Sequence, residues 1–172
     1  MNIVVDTNVL ISAVLWKGPP SDALKIILEK YSLVQSRSTL KEFENVIRRE
    51  KFTRILEKRD LTVETVIETL ITQSRLYNVS KKAESTAREV KIEDVDDLIF
   101  VELALETGAK FVVSGDKHLL QLDEVGNSRI LSVAVFGLGM KKKSYLTQYN
   151  KINFMKAVSC MRFQKKIAQF RF

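Results

Sequence analysis

The sequence predicts a three-layer α/β/α sandwich around a central, mostly parallel sheet, and three observations carry that expectation. Short β-branched or apolar runs recur through residues 1–136. Segments with helical spacing of apolar residues separate them, and this alternation favours parallel strands joined by helical crossovers. The stretch Leu98-Ile99-Phe100-Val101-Glu102-Leu103-Ala104-Leu105 is apolar nearly all round, as a helix covered on every side should be.

Ile3-Val4-Val5 is a β-branched run that reads as a buried strand ended by Asp6. Residues 7–15 look helical. Gly18-Pro19-Pro20 reads as a break, with Ser21-Asp22 capping a second helix to about Lys30. Ser32-Leu33-Val34-Gln35 is the second strand. Ser38 to Arg49 forms a helix with Leu40, Phe43, Val46 and Ile47 on one side. Lys51 to Arg59 makes a shorter helix, and Thr62 opens a longer one carrying Val63, Val66, Ile67, Leu70 and Ile71. Asn78-Val79-Ser80 is a weak strand candidate. Asp94-Val95-Asp96-Asp97 leads into the apolar helix, which Gly108 stops. Lys110 to Val113 is a strand followed by Ser114-Gly115-Asp116. Leu119 and Leu120 mark a short helix, and Arg129-Ile130-Leu131 the last strand.

Composition narrows the chemistry. No run approaches the roughly 18 apolar residues of a membrane span, and the amino terminus lacks the basic region and cleavage site of a signal peptide. A single cysteine, Cys160, rules out an intramolecular disulfide and suits a reducing cytoplasm. With a single histidine, His118, beside it, a zinc site of about four His and Cys ligands is nearly excluded. Any metal here is held by oxygen.

Acids supply that oxygen. Ligands of an open parallel sheet bind beyond the carboxyl ends of its strands. Asp6 follows the first strand directly and Asp116 follows the 110–113 strand closely, so both fall on that edge. Asp96 and Asp97 begin the helix before the Asp116 strand, and a right-handed crossover is expected to set that helix start on the opposite edge. Clustered carboxylates repel one another and raise each other's pKa. Hard divalent cations such as Mg²⁺ or Mn²⁺ relieve the repulsion and assist in-line phosphoryl displacement, which is nuclease chemistry without His or Cys. Taken singly, each acid also reads as a turn or cap residue. Spacing alone does not choose Glu42 over Glu44, nor Asp97 over Asp96.

A family resemblance does choose. "VVDTNVLISA" at 4–13, "SRSTLKEFENVI" at 36–47, "DVDDLIFVELALETGAKFVVSGDKHLL" at 94–120 and "RILSVAVF" at 129–136 resemble, in order, the PIN-domain nucleases. The subgroup is that of toxins from toxin–antitoxin pairs. The resemblance implies that Asp6, Glu42, Asp97 (seven residues before Ala104) and Asp116 are the catalytic and metal-holding acids. Asn8, Ser114 and Asp96 would line the site. Where the subgroup often has three consecutive acids this chain has Asp96-Asp97-Leu98, which weakens a role for a flanking carboxylate. The resemblance further implies an endonuclease for single-stranded RNA using Mg²⁺ or Mn²⁺, an antitoxin protein partner, and a homodimer; the single cysteine points to the cytoplasm.

Two other readings compete. One is a non-catalytic RNA-binding or scaffold protein that keeps the fold. The other is a phosphotransfer domain with Asp6 as nucleophile. A haloacid-dehalogenase-like phosphatase wants an acid where this chain has Asn8, and no glycine-rich phosphate loop is present. Outside the acids, His118 reads as a surface residue, Trp16 as core or dimer interface, and Lys17 and Arg37 as ordinary surface charge.

The net charge of +7 divides unevenly. Residues 1–136, the expected nuclease domain, carry 19 basic and 21 acidic side chains, whereas 137–172 carry nine basic and none acidic. This extension opens on Gly137-Leu138-Gly139, read as a hinge. Lys141-Lys142-Lys143 follow, with aromatic residues interleaved beyond them. Lysines neutralise phosphate and aromatic rings stack on bases, so the extension is a candidate RNA-binding arm that offsets an acidic catalytic face. Deleting 137–172 should weaken RNA binding and flatten its dependence on salt in a filter-binding titration; unchanged binding would refute the assignment.

Overall fold

The structure is a computed structural model and describes residues 1–141, with side chains as far as Gly139. The chain runs β1 (Asn2–Val5), α1 (Thr7–Leu15), α2 (Pro19–Lys30), β2 (Ser32–Ser36), α3 (Arg37–Ile47), α4 (Glu50–Glu57), α5 (Val63–Thr72) and β3 (Ser74–Tyr77). It continues through α6 (Lys81–Arg88), a 3₁₀ turn at Val95–Asp97, α7 (Leu98–Thr107), β4 (Phe111–Ser114), α8 (Lys117–Leu120), β5 (Glu124–Val125), β6 (Ser128–Ser132) and α9 (Val133–Lys141). The six strands lie in the order β3-β2-β1-β4-β6-β5, and every neighbouring pair is parallel except β5 with β6. The expected α/β/α sandwich with a mostly parallel sheet is what the chain forms.

Strand composition explains the layers. Side chains alternate between the two faces of a strand, and central parallel strands are covered on both. Val4, Val34, Val112 and Ile130 share one core with Phe100, Val101, Leu103 and Ala104 of α7. Their neighbours Ile3, Val5, Leu33 and Val113 are equally buried and by alternation face the other layer. α7 is thus enclosed between the sheet and α6, as its apolar circumference requires.

Several elements depart from the sequence expectation for identifiable reasons. α2 starts at Pro19 instead of after a break, because proline in the first turn leaves no N–H unsatisfied. Gly18, at φ 142°, takes the N-cap position there, and Ser21 Oγ accepts its N–H at 3.0 Å. The third strand is Ser74–Tyr77, not 78–80; Ser80 instead caps α6 by accepting from the Ala83 N–H. The sequence reading omits α6, whose buried residues are only Ala83 and Ala87, too small to make an apolar stripe. β5, a two-residue edge strand, is likewise absent from it. Gly137-Leu138-Gly139 is not a hinge: α9 runs through it, after Phe136 has packed edge-on against Phe111 and Tyr31 with centroids 6.0 and 6.3 Å away. Met1–Gly139 form one compact unit. Lys141 closes α9, and Lys142, Lys143 and Cys160 lie outside the described residues. Among the described residues no helix is long and apolar enough to cross a membrane.

Phe100 is 1% exposed at the centre of the α7 core. Phe100→Ala should cost about 3–5 kcal/mol of unfolding free energy, the usual range for a buried phenylalanine, as read from urea denaturation. A loss below about 1 kcal/mol would contradict this packing.

Candidate metal centre at the switch point of the sheet

The strand order fixes where a site can form. From β1 the chain moves outward to β2 and β3, then returns to the other side of β1 to lay down β4. β1 and β4 therefore flank the point where strand order reverses, the crevice in which open α/β sheets bind ligands. Asp6 leaves the carboxyl end of β1 and Asp116 follows β4, which pair in parallel with Val5 opposite Val113.

Asp6 is the most enclosed acid, 2% exposed. Its backbone N–H extends the sheet by donating to Val113 O at 3.0 Å. Its Oδ1 accepts from the Asn8 N–H at 2.9 Å, which caps α1. Its Oδ2 accepts from Ser114 Oγ at 2.6 Å and more weakly from the Gly115 N–H at 3.4 Å. The same Ser114 hydroxyl accepts the Asp116 N–H at 2.9 Å, so one buried serine ties the first acid to the loop of the fourth. Asp116 is half-buried, and its Oδ1 accepts from the His118 N–H at 2.7 Å.

Glu42 comes from the middle of α3. Thr7, fully buried at the start of α1, donates its hydroxyl to Glu42 Oε2 at 2.7 Å. This contact separates Glu42 from Glu44, which pairs with Arg48 on the surface at 2.8 Å. Burial raises the Glu42 pKa; the Thr7 hydrogen bond opposes it, Asp6 and Asp96 add to it, and Arg49 counteracts. Asp97 precedes α7, and its carboxylate makes no capping hydrogen bond. The local cap is Asp94, which accepts from the Asp96 N–H at 2.9 Å. Asp97 is thereby left facing the other acids. Burial, then Asp116, Asp6, Asp94 and Glu42, push its pKa up to about 7.

This placement corrects the expected position of Asp97. A helix returning to the start of the next parallel strand runs antiparallel to it, so α7 must begin at the strands' carboxyl edge. Asp97 there feels the charge of Asp116, Asp6 and Glu42, and Glu42 that of Asp6. The lining residues fare differently. Ser114 is a direct partner of Asp6. Asn8 is exposed and contributes its backbone N–H. Asp96 is exposed and reaches Glu42 only through its field. Thr7 and Arg49 were missed. Thr7 stands inside the motif at 4–13, but nothing in its spacing shows that its hydroxyl meets a residue 35 positions away. His118 lies at the rim with Nδ1 2.6 Å from Glu93 Oε2.

The donor set has the chemistry of a hard-cation site: oxygen only and like-charged, with Glu42 and Asp97 raised in pKa by burial first and by neighbouring acids after it. The spacing is looser than in a closed site. Among the described residues no three acidic, histidine or cysteine side chains stand close enough to share one ion.

A doubly wound sheet with carboxylates gathered at its switch point defines the class: an α/β domain with an acidic site at the sheet's carboxyl edge. The profile of the PIN domain family matches residues 2–118, and the chain belongs to that family. No curated protein matches it in sequence. Among solved structures it is similar to VapBC2 of Rickettsia felis bound to a DNA fragment from its promoter. That likeness has a TM-score of 0.58 at 13% identity, covering 77% of this chain and 98% of the other. It is also similar to VapC20 of Mycobacterium tuberculosis, a toxin that cleaves the sarcin–ricin loop. There the TM-score is 0.51 at 15% identity, over 74% of this chain and 98% of the other. At such identities the likeness is one of fold.

Asp97 gives the site a pH signature. A carboxyl whose pKa is higher folded than unfolded holds more protons in the folded state. Its presence therefore costs stability as pH rises from about 4 to about 7. In metal-free protein, Asp97→Asn should raise stability at pH 8 by about 1–2 kcal/mol, allowing for solvent screening of a half-exposed group. The gain should vanish as pH falls toward 4. Thermal melts across this range check it, and an equal effect at both ends would contradict the clustering.

Proposed function

We propose that this PIN-domain chain is a divalent-metal-dependent endoribonuclease for single-stranded RNA, acting as the toxin of a toxin–antitoxin pair in the cytoplasm. The observation that carries the reading is the convergence of Asp6, Glu42, Asp97 and Asp116, from four separate segments, with Asp97 driven to about 7 by burial and by its acidic neighbours. A fold needs no such repulsive arrangement, whereas a cation-binding site does. The similarity to VapBC2 and VapC20 supports the toxin assignment; the antitoxin partner and the homodimer are proposed on the family resemblance.

In this reading Asp6, Asp97 and Asp116 hold Mg²⁺ or Mn²⁺, with Glu42 completing the set. When bound, the ion supplies neutralising charge and Lewis acidity for phosphodiester hydrolysis. The chain's residues prepare its place. Ser114 and the Asn8 N–H fix both oxygens of Asp6, so its carboxylate is oriented before any ligand arrives. Thr7 fixes Glu42 through Oε2 and leaves Oε1 for other partners. The uncapped Asp97 carboxylate is free to turn toward a cation, and binding would release the proton it carries near neutral pH.

Cleavage of an unstructured RNA should require Mn²⁺ or Mg²⁺, and Asp6→Asn should lower kcat by at least about a hundredfold, the loss of roughly 2.7 kcal/mol of barrier reduction. Thr7→Val should reduce cleavage and Thr7→Ser should retain it. Metal-independent cleavage, or full activity in Asp6→Asn, would sink the proposal; RNA binding without turnover would favour the scaffold alternative.

A further inference from the structure

Trp16 is the only tryptophan in the chain and is 45% exposed. It ends α1, where its N–H donates to Ser12 O at 2.9 Å. Phe52 of α4 holds the indole edge-on at a centroid distance of 6.3 Å. Phe52 is itself buried, so the indole rests on a fixed base with part of its surface in water.

Three cations adjoin this ring pair along the chain. Lys17 follows Trp16 in the chain. Lys51 Nζ lies 4.7 Å from the Phe52 ring centroid. Arg49 is one turn before Phe52, whose N–H donates to Arg49 O at 2.8 Å. Among the described residues none of the three forms an ion pair. Their neighbours do: Arg48 is held by Glu44 and Glu64, and Arg54 by Glu50. Arg49 is also near enough to Glu42 to act on its carboxylate, so the patch starts where the acids end. Trp16 follows Asp6 by ten residues, about 15 Å along a helix, a span that a few extended nucleotides cover.

An anchored, half-exposed aromatic ring among unpaired cations is what single-stranded nucleic acid requires: charge for phosphate and a flat face for a base. An apolar protein partner would use the rings but gain nothing from unpaired cations, which it would have to desolvate. We propose that Trp16, seated on Phe52 and flanked by Lys17, Arg49 and Lys51, is a base-stacking platform for the RNA strand that enters the acid cluster. This rests on the ribonuclease reading of those acids.

The lone tryptophan makes the test direct. The full chain carrying Asp116→Asn, which keeps a capping side chain and prevents cleavage, is titrated with a fluorescently labelled oligouridylate. Binding is followed by anisotropy of the label and by Trp16 emission. Emission should fall in step with binding, and heparin, a polyanion without bases, should leave it unmoved. Trp16→Ala should weaken binding about tenfold, within the range of base–aromatic stacking, and Trp16→Phe should restore most of it. Lys51→Gln should lower the slope of log affinity against log salt by about one. RNA that binds by anisotropy while Trp16 emission stays constant overturns the platform and leaves the ribonuclease reading intact. RNA that binds by neither readout overturns both. Emission that shifts blue with protein concentration alone assigns the ring to contact between copies and also overturns the platform.

Discussion

The constraint on which this structure turns is the burial of one carboxylate, Asp6, at the reversal point of a parallel sheet. A charge this enclosed needs hydrogen-bond donors on its oxygens. The fold provides them by ending β1 at the first turn of α1 and by passing β4 beside it, so that a backbone N–H serves one oxygen and Ser114 the other. With Asp6 fixed in this way, every further acid at the same edge is added against repulsion. Burial and that repulsion together raise the pKa values of Asp97 and Glu42.

The rest of the architecture serves that edge. α7 is buried between the sheet and α6, so its first residue cannot drift, and Asp97 inherits the position. Asp94 takes the capping hydrogen bond and leaves Asp97 uncommitted. α3 packs on α1 closely enough for Thr7 to reach Glu42. Large apolar side chains hold the layers, while the polar side chains at the carboxyl edge take positions that folding alone does not favour.

Much of this was legible in the sequence. β-branched runs marked β1 and β4, and the apolar 98–105 run marked α7, because full burial leaves no polar face to disguise the signal. α6 and β5 were illegible, since two alanines or two residues carry too little pattern. Asp6 and Asp116 could be placed together from strand direction alone. Glu42 could not be separated from Glu44, because both project from α3 and only the tertiary contact with Thr7 distinguishes them. Asp97 was assigned to the wrong edge on sheet geometry, through neglect of the antiparallel run of a crossover helix; the family pattern named the correct residue. Ser114 was read as lining the site, but its bridging of Asp6 and the Asp116 loop depends on a contact spanning 108 positions.

The central proposal is that Asp6, Glu42, Asp97 and Asp116 form one cation-binding unit. Calorimetric titration of Mn²⁺ into the wild-type chain near pH 7, repeated in buffers of different ionisation enthalpy, tests it most directly. Saturable binding accompanied by proton release is predicted, with Asp97→Ala at least about tenfold weaker and releasing fewer protons. Identical binding and proton release in the two proteins would contradict it.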